Sequence, residues 1–284
     1  MTKLISANFL RLRKSRVFWL ANGVMAALVM LICADHYHYL GRETILDGFF
    51  LGYVLIVGFP LSVVCGLYLG TEYGDGTIRN KLIAGHTRWA VYLANLVTVF
   101  GAALAMSLVF EAVVCMVGIP LFGPLKSDWE FILIMTGESV LTIGAFSAVF
   151  TLTGHLIQNR AVMAVSMVLL TFFLFFAAIS VEEKLKAPEF IYMGPMYDQD
   201  NVVVAAQEEF QGTELTANPQ YLSGKRRELY VFLHDFNPFG QALQISNMFE
   251  SHPVHLWQMP LYSLLIIAAA TGGGGYLFGR KDIK

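Results

Sequence analysis

Two acidic residues, Glu111 and Glu138, lie inside long apolar stretches of the sequence. An ionised carboxylate is costly in hydrocarbon, so such a side chain is protonated, paired or in contact with a cation. At 1.5 Å per helical residue, both lie roughly 10–12 Å below the same membrane surface. Adjacent antiparallel helices would bring them side by side. The pair could guide a cationic or amphipathic substrate or form an outer gate, or it could only fix helix packing through hydrogen bonds.

Other arrangements that support catalysis are missing from the sequence. An intramembrane metalloprotease needs closely spaced ligands such as His-Glu-x-x-His, but His155 is 17 residues from Glu138 and has no second histidine near it. The glycines at 272–275 lack the Gly-Lys-Ser/Thr of a phosphate-binding Walker A loop. The three cysteines have no metal-ligand spacing. We therefore expect no catalytic residue, cofactor or metal site in this chain.

The residues above must be positioned by membrane-spanning helices. The chain has 284 residues, 56% hydrophobic and 14% charged, with a mean hydropathy of +0.58. A soluble domain would carry about a quarter charged residues. A spanning helix needs about 20 apolar residues. The sequence therefore predicts an all-α integral membrane protein with six spans, at residues 17–34, 48–70, 91–119, 131–157, 161–180 and 259–278.

The distribution of basic residues predicts the orientation of these spans. Of the 19 Lys and Arg residues, 12 fall at the two termini and in the second-to-third and fourth-to-fifth connections. Basic residues in short loops concentrate on the cytoplasmic side. We therefore expect a multi-pass plasma-membrane protein, bacterial in origin, with both termini in the cytoplasm and residues 279–284 as a cytoplasmic tail. The formal net charge of −2 offers no basic surface for nucleic acid.

The stretch before the first span, residues 1–16, carries apolar and basic residues at helical spacing. Ile5, Phe9 and Leu12 alternate with Arg11 and Lys14. This pattern predicts an amphipathic helix that lies on membrane lipids at the inner surface. The alternative is a basic tail that only sets the orientation.

The loop between the second and third spans, residues 71–90, predicts a short helix with marked boundaries. Gly74 and Gly76 end the preceding helix, and Asp75 or Thr77 can cap the next one. Gly85 supplies a stop at its end.

The faces of this short helix differ in chemistry. Ile78 and Leu82 are four residues apart and share one face, while Arg79 and Lys81 project elsewhere. An amphipathic helix of this kind is suited to docking in a groove of a cytoplasmic protein. An ordinary connector with positive-inside residues would show the same composition.

The same loop resembles that of ABC type-2 transporter permeases. The shared pattern is Glu72, then Gly-Thr at 76–77, a basic and apolar stretch, Gly85 and Arg88. The six spans, the N-terminal surface helix and the long outer segment also match that family. The resemblance implies a coupling helix over 77–84 that receives motion from a separate ATP-binding subunit, with Glu72 and Arg79 near the contact. The residues that it assigns to this coupling are Glu72, Thr77, Ile78, Arg79, Lys81 and Leu82.

The resemblance also implies a function. The chain would be the permease subunit of an ATP-driven exporter, paired with a second identical or homologous permease and with two ABC ATPase subunits that bind ATP and Mg²⁺. An amphipathic antimicrobial peptide such as a bacteriocin is the preferred substrate, with drugs and lipids as others. The alternative is a secondary transporter driven by protons through Glu111 and Glu138. Such transporters usually contain internal repeats, and none is visible here.

The outer segment, residues 181–258, is too long for a simple connector. We expect one helix over about 223–234 and a second that starts at Asn237-Pro238, an N-cap followed by proline at the first helical position. The segment could cap the exit path or recognise substrate, or it could be a purely structural lid.

Overall fold

A computed structural model of the chain describes residues 1–41, 45–192, 215–246 and 257–282. Helices form nearly all of the regular structure. In chain order the elements are α1 (Thr2–Lys14), α2 (Arg16–Leu40), α3 (Asp47–Phe50), α4 (Tyr53–Gly74), α5 (Thr77–Ile83), α6 (Arg88–Val113), a π-helical turn (Val114–Gly118), α7 (Ile119–Phe122), α8 (Trp129–Leu156), α9 (Arg160–Lys186), β1 (Phe190–Tyr192), β2 (Leu215–Ala217), α10 (Gly224–Phe236), α11 (Pro238–Ser246) and α12 (Gln258–Arg280).

Within the described ranges, six helical segments are long and apolar enough to cross a membrane. They are α2, α3 with α4, α6 with α7, α8, α9 and α12. The prediction of six spans is therefore confirmed, and most of the helices extend past the predicted bounds. We call the end of the bundle that carries α1, α5, the start of α9 and the end of α12 the α5 end. We call the opposite end the α10 end, after the helix that lies there.

The N-terminal helix α1 packs against the bundle through a face that differs from the predicted one. Leu4, Asn8 and Leu12 are buried, whereas Phe9 is at the edge of exposure. The ring of Phe9 lies against Gly101 of α6, where a Cβ atom would come within 2.6 Å of it. The helix is therefore as predicted, but its inward face rests on protein and centres on a polar residue.

The boundaries of α5 depend on glycine. The expected side-chain cap at Asp75 or Thr77 is wrong, because α5 begins after Gly76, whose φ of 66° is left-handed, and no side chain caps it. Gly85, with a φ of 88°, ends the helix, as expected. Both positions use backbone conformations that glycine adopts without the steric cost of a Cβ atom.

The predicted helices of the outer segment are present. α10 starts one residue after Ser223, and α11 starts at Pro238 with the Asn237 side chain accepting a hydrogen bond from the Phe239 backbone N–H at 3.0 Å. The segment is not wholly helical, however. Phe190–Tyr192 and Leu215–Ala217 pair as two antiparallel strands, in which aromatic and β-branched residues favour extended backbone. Residues 193–214 and 247–256 of the segment lie outside the described ranges.

Helix α11 is buried among the spanning helices. Phe239 is fully buried, and its ring centroid lies 4.7 Å from that of Phe146, 5.4 Å from Phe59 and 5.5 Å from Phe175. Gly58 leaves room for the ring, since a Cβ atom there would lie 2.8 Å from it. Aromatic contacts from α4, α8 and α9 therefore hold α11 in place.

Replacing Phe239 with Ala should lower the stability of the purified protein by roughly 3–5 kcal/mol, the usual cost of emptying a buried aromatic site. The matched control is Phe190→Ala, because Phe190 is half-exposed on β1. Thermal unfolding in detergent would measure both. Equal unfolding temperatures for the two variants would contradict the burial of α11.

Candidate functional site

The predicted coupling residue Glu72 lies in the last turn of α4 and is fully buried. Its Oε1 atom accepts from Arg11 Nη1 of α1 at 3.0 Å and from Lys81 Nζ of α5 at 2.5 Å. Its Oε2 atom accepts from Asn95 Nδ2 of α6 at 2.8 Å. Both oxygens of the carboxylate are therefore paired, and the three donors come from three different helices.

These contacts close into a ring through Asn8. Asn8 Nδ2 donates to Asn95 Oδ1 at 2.8 Å, and Asn8 Oδ1 accepts from Lys81 Nζ at 2.8 Å. We call the side chains of Asn8, Glu72, Lys81 and Asn95 the Glu72 ring. It joins α1, α4, α5 and α6, so none of these helices can shift at this point without breaking a buried polar contact.

The ring continues toward α8 and the end of α12. Asn95 Nδ2 lies 3.3 Å from His155 Nε2, and Tyr73 Oη lies 3.1 Å from His155 Nδ1. Lys281 Nζ donates to the His155 carbonyl at 2.7 Å, and burial lowers the pKa of the Lys281 ammonium. The His155 side chain is buried within this polar network.

The two sides of α5 have different environments. Ile78 is buried with residues of α1, α6 and α12, and Leu82 packs against the same cluster. Arg79 and Asn80 are exposed, and Ile83 is 73% exposed. The outer face of α5 is therefore formed by Arg79, Asn80 and Ile83.

The six predicted coupling residues differ in their exposure, and their role in coupling stays a prediction. Glu72 cannot contact another subunit directly, because it has no exposed surface. Ile78 and Lys81 also face inward, and Thr77 and Leu82 are half-buried. Of the six predicted residues, only Arg79 is exposed.

The intramembrane carboxylates occupy a different part of the bundle. Glu138 of α8 is 5% exposed, and neither of its carboxylate oxygens has a hydrogen-bond partner among the described residues. Glu111 Oε2 of α6 is likewise buried without one. Among the described residues, no hydrogen bond joins the two carboxylates, and the side-by-side placement of Glu111 and Glu138 stays a prediction.

A second polar cluster lies next to Glu138. Tyr53 Oη and Ser139 Oγ share a hydrogen bond of 2.5 Å between α4 and α8. One turn further, Gln241 Oε1 of α11 accepts from Thr142 Oγ1 at 3.2 Å and from Ser263 Oγ of α12 at 2.7 Å. The hydroxyl and amide groups around Glu138 are therefore satisfied by one another, and they leave its carboxylate unpaired.

In the described parts of the chain, no group of three or more His, Cys, Asp or Glu side chains could hold a metal ion. Two networks of buried polar side chains concern the predicted site residues: the Glu72 ring with its extension to His155, and the cluster beside Glu138.

Comparison with known families decides the class. Residues 4–178 match the family described as ABC-2 family transporter protein, which is more than half of the chain. The chain belongs to the ABC-2 transporter family. It is therefore a multi-pass membrane protein and the permease component of an ABC transporter. No curated protein matches it.

The family match extends from α1 into α9 and so includes every member of the Glu72 ring. The helices that follow are outside the match, although Lys281 and Gln241 connect them to both polar networks of this ABC-2 permease. The sequence alone missed Asn8, Gln241 and Ile83. A polar residue among apolar helical neighbours could have indicated the first two, and the spacing of four residues from Arg79 could have indicated Ile83.

Replacing Glu72 with Gln keeps the size of the side chain but leaves Arg11 and Lys81 without their counter-charge. We expect a loss of roughly 2–3 kcal/mol in unfolding free energy, less than for a fully buried pair because Arg11 is about one-third exposed. Asp75→Asn is the control, since Asp75 lies in the same loop but is exposed. Unfolding in detergent would measure both, and a Glu72→Gln variant as stable as Asp75→Asn would refute the role of the ring.

Proposed function

We propose that this chain is the permease subunit of an ATP-driven exporter and that a separate ATPase subunit grips it at the outer face of α5. The proposal rests on one observation: one side of α5 is exposed, and the other side is bonded to the bundle. One side bears the exposed Arg79, Asn80 and Ile83, and the other holds Lys81 in the Glu72 ring. A force applied to the first side is transmitted to the second.

The outer face of α5 has the chemistry of a docking helix. Ile83 is an exposed aliphatic side chain on a loop helix outside the spanning segments. An apolar anchor with polar and charged neighbours is typical of a helix that inserts into a groove of a partner protein. Arg79 would pair with an acidic group at the rim of that groove.

Transmission from α5 follows from its inward contacts. Lys81 contacts Glu72 of α4 and Asn8 of α1 at once, and Ile78 is buried against the cluster that contains Phe278 of α12. A displacement of α5 therefore acts on α1, α4 and α12 together. In this proposal the ATPase subunits close on ATP and Mg²⁺ and move these helices as a group.

The number of permease chains is part of the same proposal. α9 is the least buried of the six spanning segments, and it exposes Leu169, Phe173 and Phe176. A second permease chain, identical or homologous, would cover part of this face, and two ATPase subunits would then bind the pair. The basic residues at the α5 end support a cytoplasmic location for that end and for both termini.

The substrate class is proposed from the uncompensated carboxylates. Glu138 and Glu111 are buried, and their unpaired oxygens could accept a cationic group. We favour an amphipathic cationic substrate such as an antimicrobial peptide, moved outward. The same observation favours a second candidate function, proton-coupled transport through Glu111 and Glu138 without an ATPase.

The test replaces the outer face of α5. In the variant Arg79→Glu/Ile83→Glu, the partner ATPase should no longer co-purify with the permease. Stimulation of ATP hydrolysis by the permease should fall by tenfold or more, because the apolar anchor becomes acidic and the positive charge becomes negative. The matched control is Arg226→Glu/Leu229→Glu on α10, which makes the same exchanges on exposed residues at the opposite end.

The outcomes separate the two candidate functions. Loss of co-purification only in the α5 variant supports the ATP-driven exporter. Unchanged ATPase binding in that variant would refute docking at α5. Substrate uptake by proteoliposomes that contain the permease alone, driven by a pH gradient and abolished in Glu138→Gln, would favour the proton-coupled transporter.

A further inference from the structure

A basic cleft lies at the α5 end of the bundle between α1, α2, α4 and α9. Its volume is about 320 Å³. The charged residues that line it are Arg11, Lys14 and Arg160, and its polar lining includes Ser15, Tyr68 and Thr71. No acidic residue is among the described residues that line the cleft.

The positive charge of the cleft is not neutralised by the protein. In the described structure, neither Lys14 nor Arg160 forms an ion pair. Arg11 shares the single carboxylate of Glu72 with Lys81, so two cations meet one anion there. Three basic side chains of the cleft therefore face at most a fraction of one negative charge.

Close helix packing holds Arg160 at this position. Gly66 and Gly70 of α4 are four residues apart, and a Cβ atom on either would lie 3.0 Å from an atom of Ala164 or Arg160. Small residues at this spacing let two spanning helices approach closely. The first turn of α9 is capped by Asn159, which accepts from two backbone N–H groups, so the Arg160 side chain remains available to the cleft.

The start of α2 adds donors to the same cleft. Ser15 precedes α2, and its hydroxyl makes no capping hydrogen bond. The first N–H groups of a helix have no partner within the helix and favour an anion. The hydroxyl and these N–H groups supplement the three basic side chains.

An apolar groove lies beside the cleft, among the spanning helices. It has a volume of about 410 Å³ and runs between α2, α4 and α9. Val17 lines both the cleft and the groove, so the two are adjacent. Val24, Phe59 and Phe172 line the groove, whose walls are almost entirely hydrocarbon.

We propose that the cleft and the groove together bind one anionic phospholipid of the surrounding bilayer. The headgroup phosphate would lie between Lys14 and Arg160 beside Ser15, and one acyl chain would lie along the groove. Basic side chains between spanning helices attract anionic headgroups, and an acyl chain gains by burial against apolar residues. A soluble anion would use only the cleft, and a second copy of the chain packed on α2 and α9 would use only the groove.

The test measures lipid retained by the intact purified protein in native mass spectrometry, with phosphatidylglycerol and phosphatidylcholine as probes. The wild-type protein should retain one phosphatidylglycerol in preference to phosphatidylcholine. In Lys14→Ala/Arg160→Ala, the binding of phosphatidylglycerol should be about tenfold weaker, because two attractive charges are lost. Lys3→Ala/Arg13→Ala removes two exposed basic residues outside the cleft and should change binding less than about twofold.

Two further measurements distinguish a bound phospholipid from a soluble anion in the cleft and from a second chain on the groove. Val24→Trp should fill the groove and weaken phosphatidylglycerol binding while leaving the cleft intact. Inorganic phosphate and glycerol 3-phosphate at millimolar concentration should not displace the lipid. Displacement by either would overturn the proposal in favour of a soluble anion. A change of oligomeric state in Val24→Trp with unchanged lipid binding would overturn it in favour of a second chain on the groove. Neither readout requires the ATPase.

Discussion

A carboxylate with no contact to water must be compensated by cations and hydrogen-bond donors, or it cannot stay ionised. Glu72 meets this constraint with donors from α1, α5 and α6. Because those donors come from three different helices, their convergence fixes where the N-terminal helix and the loop helix rest on the bundle. The position of α5, and with it the outward direction of Arg79 and Ile83, is a consequence of satisfying one buried charge.

The two ends of the bundle differ in whether a buried carboxylate has partners. At the α5 end, the Glu72 ring leaves its carboxylate fully paired and joins the helices into one body. Near the α10 end, the hydroxyl and amide groups around Glu138 satisfy one another, and the carboxylate itself has no partner among the described residues. A paired charge stabilises a fixed arrangement, whereas an unpaired one can accept a cation or a proton that arrives from outside. This difference supports force transmission at the first end and recognition at the second.

The sequence predicted what depends on local chemistry. Six spans follow from the length of apolar stretches, and Gly85 and Asn237-Pro238 mark helix boundaries because their backbone requirements are local. It could not predict the burial of Glu72, since its partner Arg11 is 61 residues away. The burial of Asn8 was missed for the same reason: Asn8 is buried because it pairs with Asn95, which the periodicity of α1 does not contain.

Helix α4 connects all of these features. Its last turn carries Glu72, Gly66 and Gly70 bring the start of α9 against it, and Gly58 makes room for Phe239 of α11. At these glycines, atoms of the neighbouring helices pack directly against the α4 backbone. Close-packed contacts of this kind transmit a displacement better than long flexible side chains do. A shift of α4 caused by α5 would therefore be felt at the basic cleft, in the aromatic cluster around α11 and at the Tyr53–Ser139 contact beside Glu138. In the proposed mechanism, the glycine-containing helix α4 would be the physical route from the outer face of α5, where the ATPase would dock, to Glu138, where a substrate would bind.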